Sequence, residues 1–158
     1  MPLFNISLIR KTTLFLAAAM LSVSAMAFDF SENERLANQG DAAAQFKLAL
    51  WYAKDDDYTK SVEWYKKAAD NGSAGAQFNL ALMYEYEVGV NQNYAEARKW
   101  YEKAANKGHA DAQNNLGFMY NDGKGVRQNL ITAKEWFGKS CDNGNQEGCD
   151  NYRRLNLR

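Results

Sequence analysis

The chain has 158 residues, of which 46% are hydrophobic and 24% charged, with 19 basic and 19 acidic side chains. This length predicts one compact domain. The balanced charge gives no basic surface of the kind that neutralises phosphates, so the composition argues against a nucleic-acid-binding protein.

Residues 1–27 have the pattern of a secretory signal peptide. Arg10 and Lys11 supply the positive segment, residues 14–21 are apolar, and residues 25–27 read Ala-Met-Ala, which matches an A-x-A cleavage site. We predict cleavage after Ala27 and a periplasmic or secreted protein in a bacterium; an N-terminal membrane anchor is the alternative. Cleavage removes two of the 19 basic residues and leaves 17 against 19 acidic ones, a formal net charge of −2. No second apolar run follows, so we expect no membrane span after cleavage.

The remaining segment, residues 28–158, is built on a repeat. Trp-Tyr at 64–65, Trp-Tyr at 100–101 and Trp-Phe at 136–137 lie 36 residues apart, and the same spacing separates three glycines, Gly72, Gly108 and Gly144. Self-similarity at such a period is typical of a solenoid of stacked units. We predict three repeats, at about residues 41–72, 73–108 and 109–144.

Each repeat contains two predicted helices, named helix A and helix B here. In helix A the apolar residues recur at i, i+4 and i+8, as in Ala44, Leu48 and Tyr52, which is one face of an amphipathic helix. Helix B carries the Trp-Tyr or Trp-Phe pair. A small residue one position after the helix A leucine (Ala49, Ala81 or Gly117) should let the two helices approach closely. We also predict capping helices over 31–39, begun by an S-x-x-E capping box, and over 145–156.

Polar residues in two places are candidates for metal or covalent chemistry. Asp55-Asp56-Asp57 lacks the ligand spacing of a calcium loop and is interpreted as the N-cap of the first helix B. Cys141 and Cys149 lie on either side of the last turn, and an even cysteine count after an export signal predicts a disulfide. We expect neither a metal nor a cofactor.

The pattern Ala-x-Ala-Gln-x-x-Leu-Gly-x-x-Tyr-x-x-Gly-x-Gly-Val, followed by Ala-x-x-Trp-Tyr-x-x-Ala-Ala-x-x-Gly, resembles the Sel-one-like repeat (SLR) family, a relative of the tetratricopeptide repeat. The resemblance covers residues 36–158. It implies an all-α, right-handed α-solenoid of helix-turn-helix repeats that mediates protein–protein interaction. The cysteine spacing is similar to the bridge of secreted bacterial members. The chain departs from the pattern where the first repeat lacks the Gly-x-Gly-Val loop and where Glu87 replaces a glycine.

Resemblance to tetratricopeptide arrays also implies a binding surface. The face of helix A opposite its packing face would line a concave groove, which comprises Phe46, Lys47, Leu50, Phe78, Asn79, Leu82, Asn114, Asn115, Phe118, Asp150, Asn151 and Arg154. Apolar side chains there offer pockets, and asparagines offer both a donor and an acceptor to a peptide backbone. The alternative is that these residues pack on the neighbouring helix A. We expect Phe78 and Asn115 to serve binding rather than stability.

The expected partner is a protein or peptide in the cell envelope or outside the cell. A cell-wall or glycan-binding module is an alternative, since exposed Tyr, Trp and Asn also suit sugars. A β-lactamase-like or other hydrolytic enzyme is a weaker one, because no Ser-x-x-Lys motif occurs and the single histidine, His109, is interpreted as a helix cap.

Overall fold

The computed structural model describes residues 29–157, and within that range every regular element is an α-helix. The helices are α1 (29–38), α2 (Ala42–Lys54), α3 (Tyr58–Asp70), α4 (Ala74–Tyr86), α5 (Tyr94–Ala105), α6 (Ala110–Asp122), α7 (Leu130–Asp142) and α8 (Gln146–Asn156). Consecutive helices from α2 onward pack on each other, and α6 also contacts α8. The predicted all-α solenoid is therefore confirmed. Helix A of the three repeats is α2, α4 and α6, and helix B is α3, α5 and α7. The predicted signal peptide lies outside the described residues.

Each helix from α2 to α8 begins at a polar N-cap. The cap side chain accepts a hydrogen bond from a backbone N–H of the first turn, which satisfies one of the donors that a helix end leaves free. The caps are Asp41, Asp57, Ser73, Asn93, His109, Asn129 and Asn145. Asp57 thus caps the first helix B, as its sequence predicted. Between repeats, Gly72, Gly108 and Gly144 have φ of +89°, +84° and +91°, where a glycine meets no Cβ penalty.

The core lies between helix A and helix B of each repeat. Leu48, Leu80 and Leu116 are at most 1% exposed, and the small residues that follow them, Ala49, Ala81 and Gly117, are also buried. The close approach is tightest in the third repeat, where a Cβ on Gly117 would lie 2.4 Å from the Phe137 ring. In the first repeat the Ser61 hydroxyl donates to the Ala49 carbonyl at 2.9 Å, which fixes where helix A lies against helix B.

The tryptophans of helix B contribute to the same core from its outer side. Trp100 is 4% exposed, whereas its equivalents in the first and third repeats, Trp64 and Trp136, are partly buried. A lysine three residues later lies over each indole ring, with its Nζ 3.8 to 4.2 Å from the ring centroid: Lys67, Lys103 and Lys139. This cation–π contact covers the part of the ring that the core leaves open.

A buried glutamine joins each helix A to the preceding helix. The Nε2 atoms of Gln45, Gln77 and Gln113 donate to carbonyls eight residues earlier, those of Ala37, Ala69 and Ala105, at 2.9 to 3.0 Å. Because Ala69 and Ala105 belong to helix B, α1 takes the position of a helix B that precedes the first repeat.

In two of the three repeats the oxygen of this glutamine also accepts a hydrogen bond from a side chain, but in the second repeat it does not. The Oε1 atoms of Gln45 and Gln113 accept from Asn71 and Asn143 at 2.8 and 2.9 Å. The second repeat has Lys107 at the corresponding position, and its Nζ donates to the Gly72 carbonyl instead. The Oε1 atom of Gln77 is consequently buried without a hydrogen-bond partner among residues 29–157.

The start of α1 differs from the prediction. Residues 29 and 30 are already helical, so Ser31 does not begin α1 as the capping box implied. Phe30 packs on Trp51, with ring centroids 4.4 Å apart, and this contact accounts for the earlier helical residues. At the other end, Cys141 of α7 and Cys149 of α8 form a disulfide.

Candidate functional site

The predicted concave groove lies along α2, α4 and α6, and its apolar members are only partly covered. Phe46, Phe78, Leu82 and Phe118 are half-buried, and Leu50 is 45% exposed. These five side chains come from three consecutive helices A. They form a discontinuous apolar strip on this face, which the neighbouring helices cover only in part.

The three phenylalanines also contribute to packing. Phe46 lies 5.7 Å from the Tyr65 ring, and Phe118 lies 5.2 Å from the Phe137 ring, each on helix B of its own repeat. The Phe78 ring stacks on His109, with centroids 4.5 Å apart. His109 in turn caps α6, where its Nδ1 accepts from the backbone N–H of Ala112 at 3.3 Å. His109 therefore caps the first helix of the third repeat and packs it against Phe78 of the second.

A hydrogen-bonded chain crosses the middle of the groove. The Asn115 Nδ2 donates to the Tyr101 hydroxyl at 3.0 Å, and that hydroxyl donates to Glu85 Oε2 at 2.7 Å. Burial raises the pKa of Tyr101, and the hydrogen bond with Glu85 raises the pKa further because the carboxylate accepts the phenolic proton. Phe78 and Asn115 thus both stabilise the fold, which corrects the expectation that they serve binding alone.

The C-terminal part of the groove is closed by polar contacts. Asn114 and Asn151 are 3% and 5% exposed. The Asn151 Nδ2 donates to Asn114 Oδ1 at 3.1 Å, the Asn114 Nδ2 donates to Glu147, and Arg154 donates to Asn151 Oδ1 at 2.8 Å. These two asparagines already use their hydrogen-bonding groups within the fold. Asp150 and Arg154 are exposed at this end.

Asn79 differs from the other asparagines of the groove. It lies on α4 at the position that Asn115 holds on α6, it is half-buried, and its side chain makes no hydrogen bond with another residue in 29–157. Leu82 lies one turn further along the same helix, and Leu50 and the exposed Lys47 lie on α2. Of these four side chains, Lys47 and Leu50 are exposed, while Asn79 and Leu82 are half-buried.

A cavity at the N-terminal end was not predicted from the sequence. It has a volume of about 390 Å³ and lies between α1 and α2; we call it the N-terminal cavity, and it is lined by Asp29, Phe30, Asn33, Lys47, Leu48, Trp51, Lys54 and Asp55. Trp51 is 45% exposed there, whereas Met83 and Met119, at the same position of the next two repeats, are 7% and 1% exposed. Comparison of equivalent positions in the repeat would have revealed this difference, because a tryptophan replaces two methionines.

Two kinds of site are absent from the part of the chain that the structure describes. Residues 29–157 contain no group of three or more His, Cys, Asp or Glu side chains that could hold a metal ion. No helix within the same range is long and apolar enough to cross a membrane.

Comparison with known proteins agrees with this architecture. The family model described as Sel1 repeat matches three times, over residues 42–73, 74–109 and 110–145. A search of curated protein sequences found no match.

Among solved structures, the chain is similar to a Sel1 repeat protein from Oxalobacter formigenes, with 33% identity, a TM-score of 0.75 and coverage of 80% of this chain and 98% of that one. It is also similar to a protective antigen of uropathogenic Escherichia coli with an SLR fold, at 34% identity and a TM-score of 0.75; the match covers 81% of this chain but 28% of the antigen. The cysteine-rich protein B of Helicobacter pylori shares the fold at 24% identity and a TM-score of 0.63, with 80% and 91% covered.

Proposed function

Because the chain belongs to the Sel1 repeat family, whose members are generally protein-interaction scaffolds, we propose that it is an exported scaffold that binds an extended segment of a partner protein in the concave groove. The observation that carries this proposal is the amide of Asn79, which makes no hydrogen bond with another residue in 29–157, beside the half-buried Leu82 in an apolar strip that the neighbouring helices cover only in part.

Asn79 suits a peptide because its side chain both donates and accepts, as a backbone amide requires. Leu82, one turn along the same helix, and Leu50, on the neighbouring α2, offer apolar contacts to side chains of an extended segment. The exposed Lys47 at one end adds a positive charge, which favours an acidic residue in the ligand.

Export is supported by the disulfide between Cys141 and Cys149, because such bonds persist in oxidising compartments. The proposed signal peptide, residues 1–27, precedes the described residues. Mass determination of the protein purified from its native host tests this part: we expect an N-terminus at Phe28 and two fewer hydrogens than the reduced chain. An intact Met1 terminus with two free thiols would show that the protein is not exported in this way.

The groove is tested by site-specific photo-crosslinking in the cells that produce the protein. We expect a photo-reactive amino acid at Leu82 to give a discrete crosslinked partner, and the same group at Glu135, on the exposed side of α7, to give none. Asn79→Ala should weaken the Leu82 crosslink, since each lost hydrogen bond costs about 0.5–1.5 kcal/mol. Its melting temperature should stay near that of the wild type, because Asn79 makes no internal hydrogen bond in the described chain.

Two outcomes would move the binding site elsewhere. One is a partner captured equally well from Glu135 and from Leu82. The other is unchanged capture by a folded Asn79→Ala variant combined with Leu82→Ser.

A further inference from the structure

The N-terminal cavity lies where, by the pattern of the repeat, a helix A would pack in front of α1. In the first repeat α2 lies against α3, where Ser61 bonds to Ala49, and α4 then packs on α3 from the other side. Each intact helix B is thus covered by the helix A of its own repeat. α1 has the position of a helix B, but no helix A precedes it within residues 29–157, and the cavity between α1 and α2 lies where that helix would pack.

The opposite end of the solenoid has the complementary gap. α8 packs on α7 and α6 as a fourth helix A, begins at a polar cap as the others do, and is tied to α6 through Asn114 and Asn151. Within the described chain no helix B follows it. Its outer side presents Asp150 and Arg153 to solvent, together with Leu157, which is 89% exposed.

We propose that two copies of this chain associate head to tail, with α8 of one copy in the N-terminal cavity of the next. α8 of the first copy and α1 of the second copy then form one complete unit of helix A and helix B. Such a contact is heterologous, because different surfaces meet, and it leaves the same two surfaces free at the ends, so that it extends into longer arrays.

The first support is charge complementarity at equivalent positions of the repeat. Ala49 and Ser61 touch within the first repeat, and their equivalents across the proposed contact are Arg153 on α8 and Asp29 on α1. The two carry opposite charges. Within one copy each has a partner on its own helix, since Arg153 Nη1 lies 3.0 Å from Asp150 Oδ1 and the Asn33 Nδ2 donates to Asp29 Oδ1 at 3.1 Å, so the contact would exchange these exposed local bonds for a pair between copies.

A second pair comes from the contact between successive helices A. Asn114 and Asn151 are hydrogen-bonded between α6 and α8, and their equivalents across the proposed contact are Asp150 on α8 and Lys47 on α2. This pair is again oppositely charged. Lys47 lines the cavity, and Asp150 is exposed, where its partner within one copy is Arg153 of the same helix.

Side-chain size is also complementary. Within the third repeat a glycine on helix A, Gly117, faces the large ring of Phe137 on helix B. At the equivalent positions α8 has the long Arg153 and α1 has the short Asn33. In the third repeat the large side chain is on helix B, whereas across the proposed contact it is on helix A. The cavity beside Asn33 supplies the space that Arg153 needs.

Sedimentation velocity of the full chain, purified as its host produces it, tests the proposal. We expect the sedimentation coefficient of the wild type to rise between low-micromolar and near-millimolar concentration, and to rise less in high salt, because exposed charge pairs are screened. Asp29→Lys and Arg153→Asp should each weaken the association by about tenfold or more, since like charges then meet. A mixture of the two variants should associate again, because each surface then meets an opposite charge.

Glu135→Lys is the matched control for Asp29→Lys: it makes the same change of charge on the exposed side of α7 and should sediment as the wild type does. Circular dichroism shows whether each variant is folded. A wild type that remains monomeric over the whole range would overturn the proposal, and so would association that neither charge reversal changes. A monomer in which residues 1–28 of the same chain fill the cavity gives the first of these results.

Discussion

Replacing Lys107 by asparagine should stabilise the protein. The first and third repeats pair the Oε1 of their buried glutamine with an asparagine, whereas Lys107 leaves the Oε1 of Gln77 buried and unpaired. An asparagine at position 107 would donate to Gln77 as Asn71 donates to Gln45. The substitution therefore copies an arrangement that the chain already uses twice.

The size of the effect follows from two opposing contributions. An unpaired buried polar group costs about 1–3 kcal/mol. The substitution also removes the exposed hydrogen bond from Lys107 to the Gly72 carbonyl, which contributes about 0.2–1 kcal/mol if it resembles an exposed ion pair. The net gain is about 1 kcal/mol. With an unfolding entropy near 2.1 cal/mol/K per residue over about 130 residues, the melting temperature should rise by about 4 °C.

Urea denaturation and thermal melts measure this gain, with Lys107→Ala as the control. The alanine variant loses the bond to Gly72 without pairing Gln77, so we expect it to be no more stable than the wild type. Asn71→Lys should show the reverse effect and lower the stability by a similar amount. If Lys107→Asn and Lys107→Ala melted at the same temperature, the unpaired oxygen would not be the cause of any change.

Three further substitutions test the fold. Glu87→Gly should stabilise the chain by up to about 1 kcal/mol in urea denaturation, because Glu87 has φ of +59° and an L-residue pays about 1–2 kcal/mol there; lower stability would contradict this account. Trp100→Ala should cost about 3–5 kcal/mol and lower the melting temperature more than the same change at Trp64 or Trp136, which are less buried. Burial raises the pKa of Tyr65 to about 12, above its usual value of 10.0, so the stabilisation that comes from keeping this phenol protonated is fully present below pH 10.0 and is lost as the pH rises toward 12. Tyr65→Phe should reduce that alkaline loss, and an equally steep loss in the variant would assign it to other groups.

The repeat and its helices were predictable because the same physical demands recur at a fixed spacing. Leu48, Leu80 and Leu116 are buried where the i, i+4, i+8 pattern placed them, and Gly117 is small for the reason predicted. Boundaries were less predictable. Ser31 had the sequence of a capping box, yet contacts of Phe30 with α2 extend the helix before it, and a tertiary contact of this kind is not visible in a local motif.

The roles of the residues at the candidate site were harder to predict from the sequence than the helix boundaries. The sequence placed twelve residues on one face of helix A, but it did not show which of them the fold itself uses. Asn114, Asn115 and Asn79 share a residue type and a face, yet the first two are hydrogen-bonded to neighbouring helices and the third is not. The difference depends on what lies across the interface: Asn151 for one, Tyr101 for another. It was therefore invisible until the helices were placed in space.

Because of the disulfide between Cys141 and Cys149, the solenoid should begin to unfold at its N-terminal end. In a one-dimensional array each unit is held by its neighbours, so fraying starts at the ends. One end is covalently closed between α7 and α8, while the other relies on the contact of α1 with α2. Amide hydrogens should therefore exchange in a gradient that decreases from α1 toward α8, and proteases should cut the N-terminal end first. In a reducing solution both ends become free to fray, and the gradient should flatten.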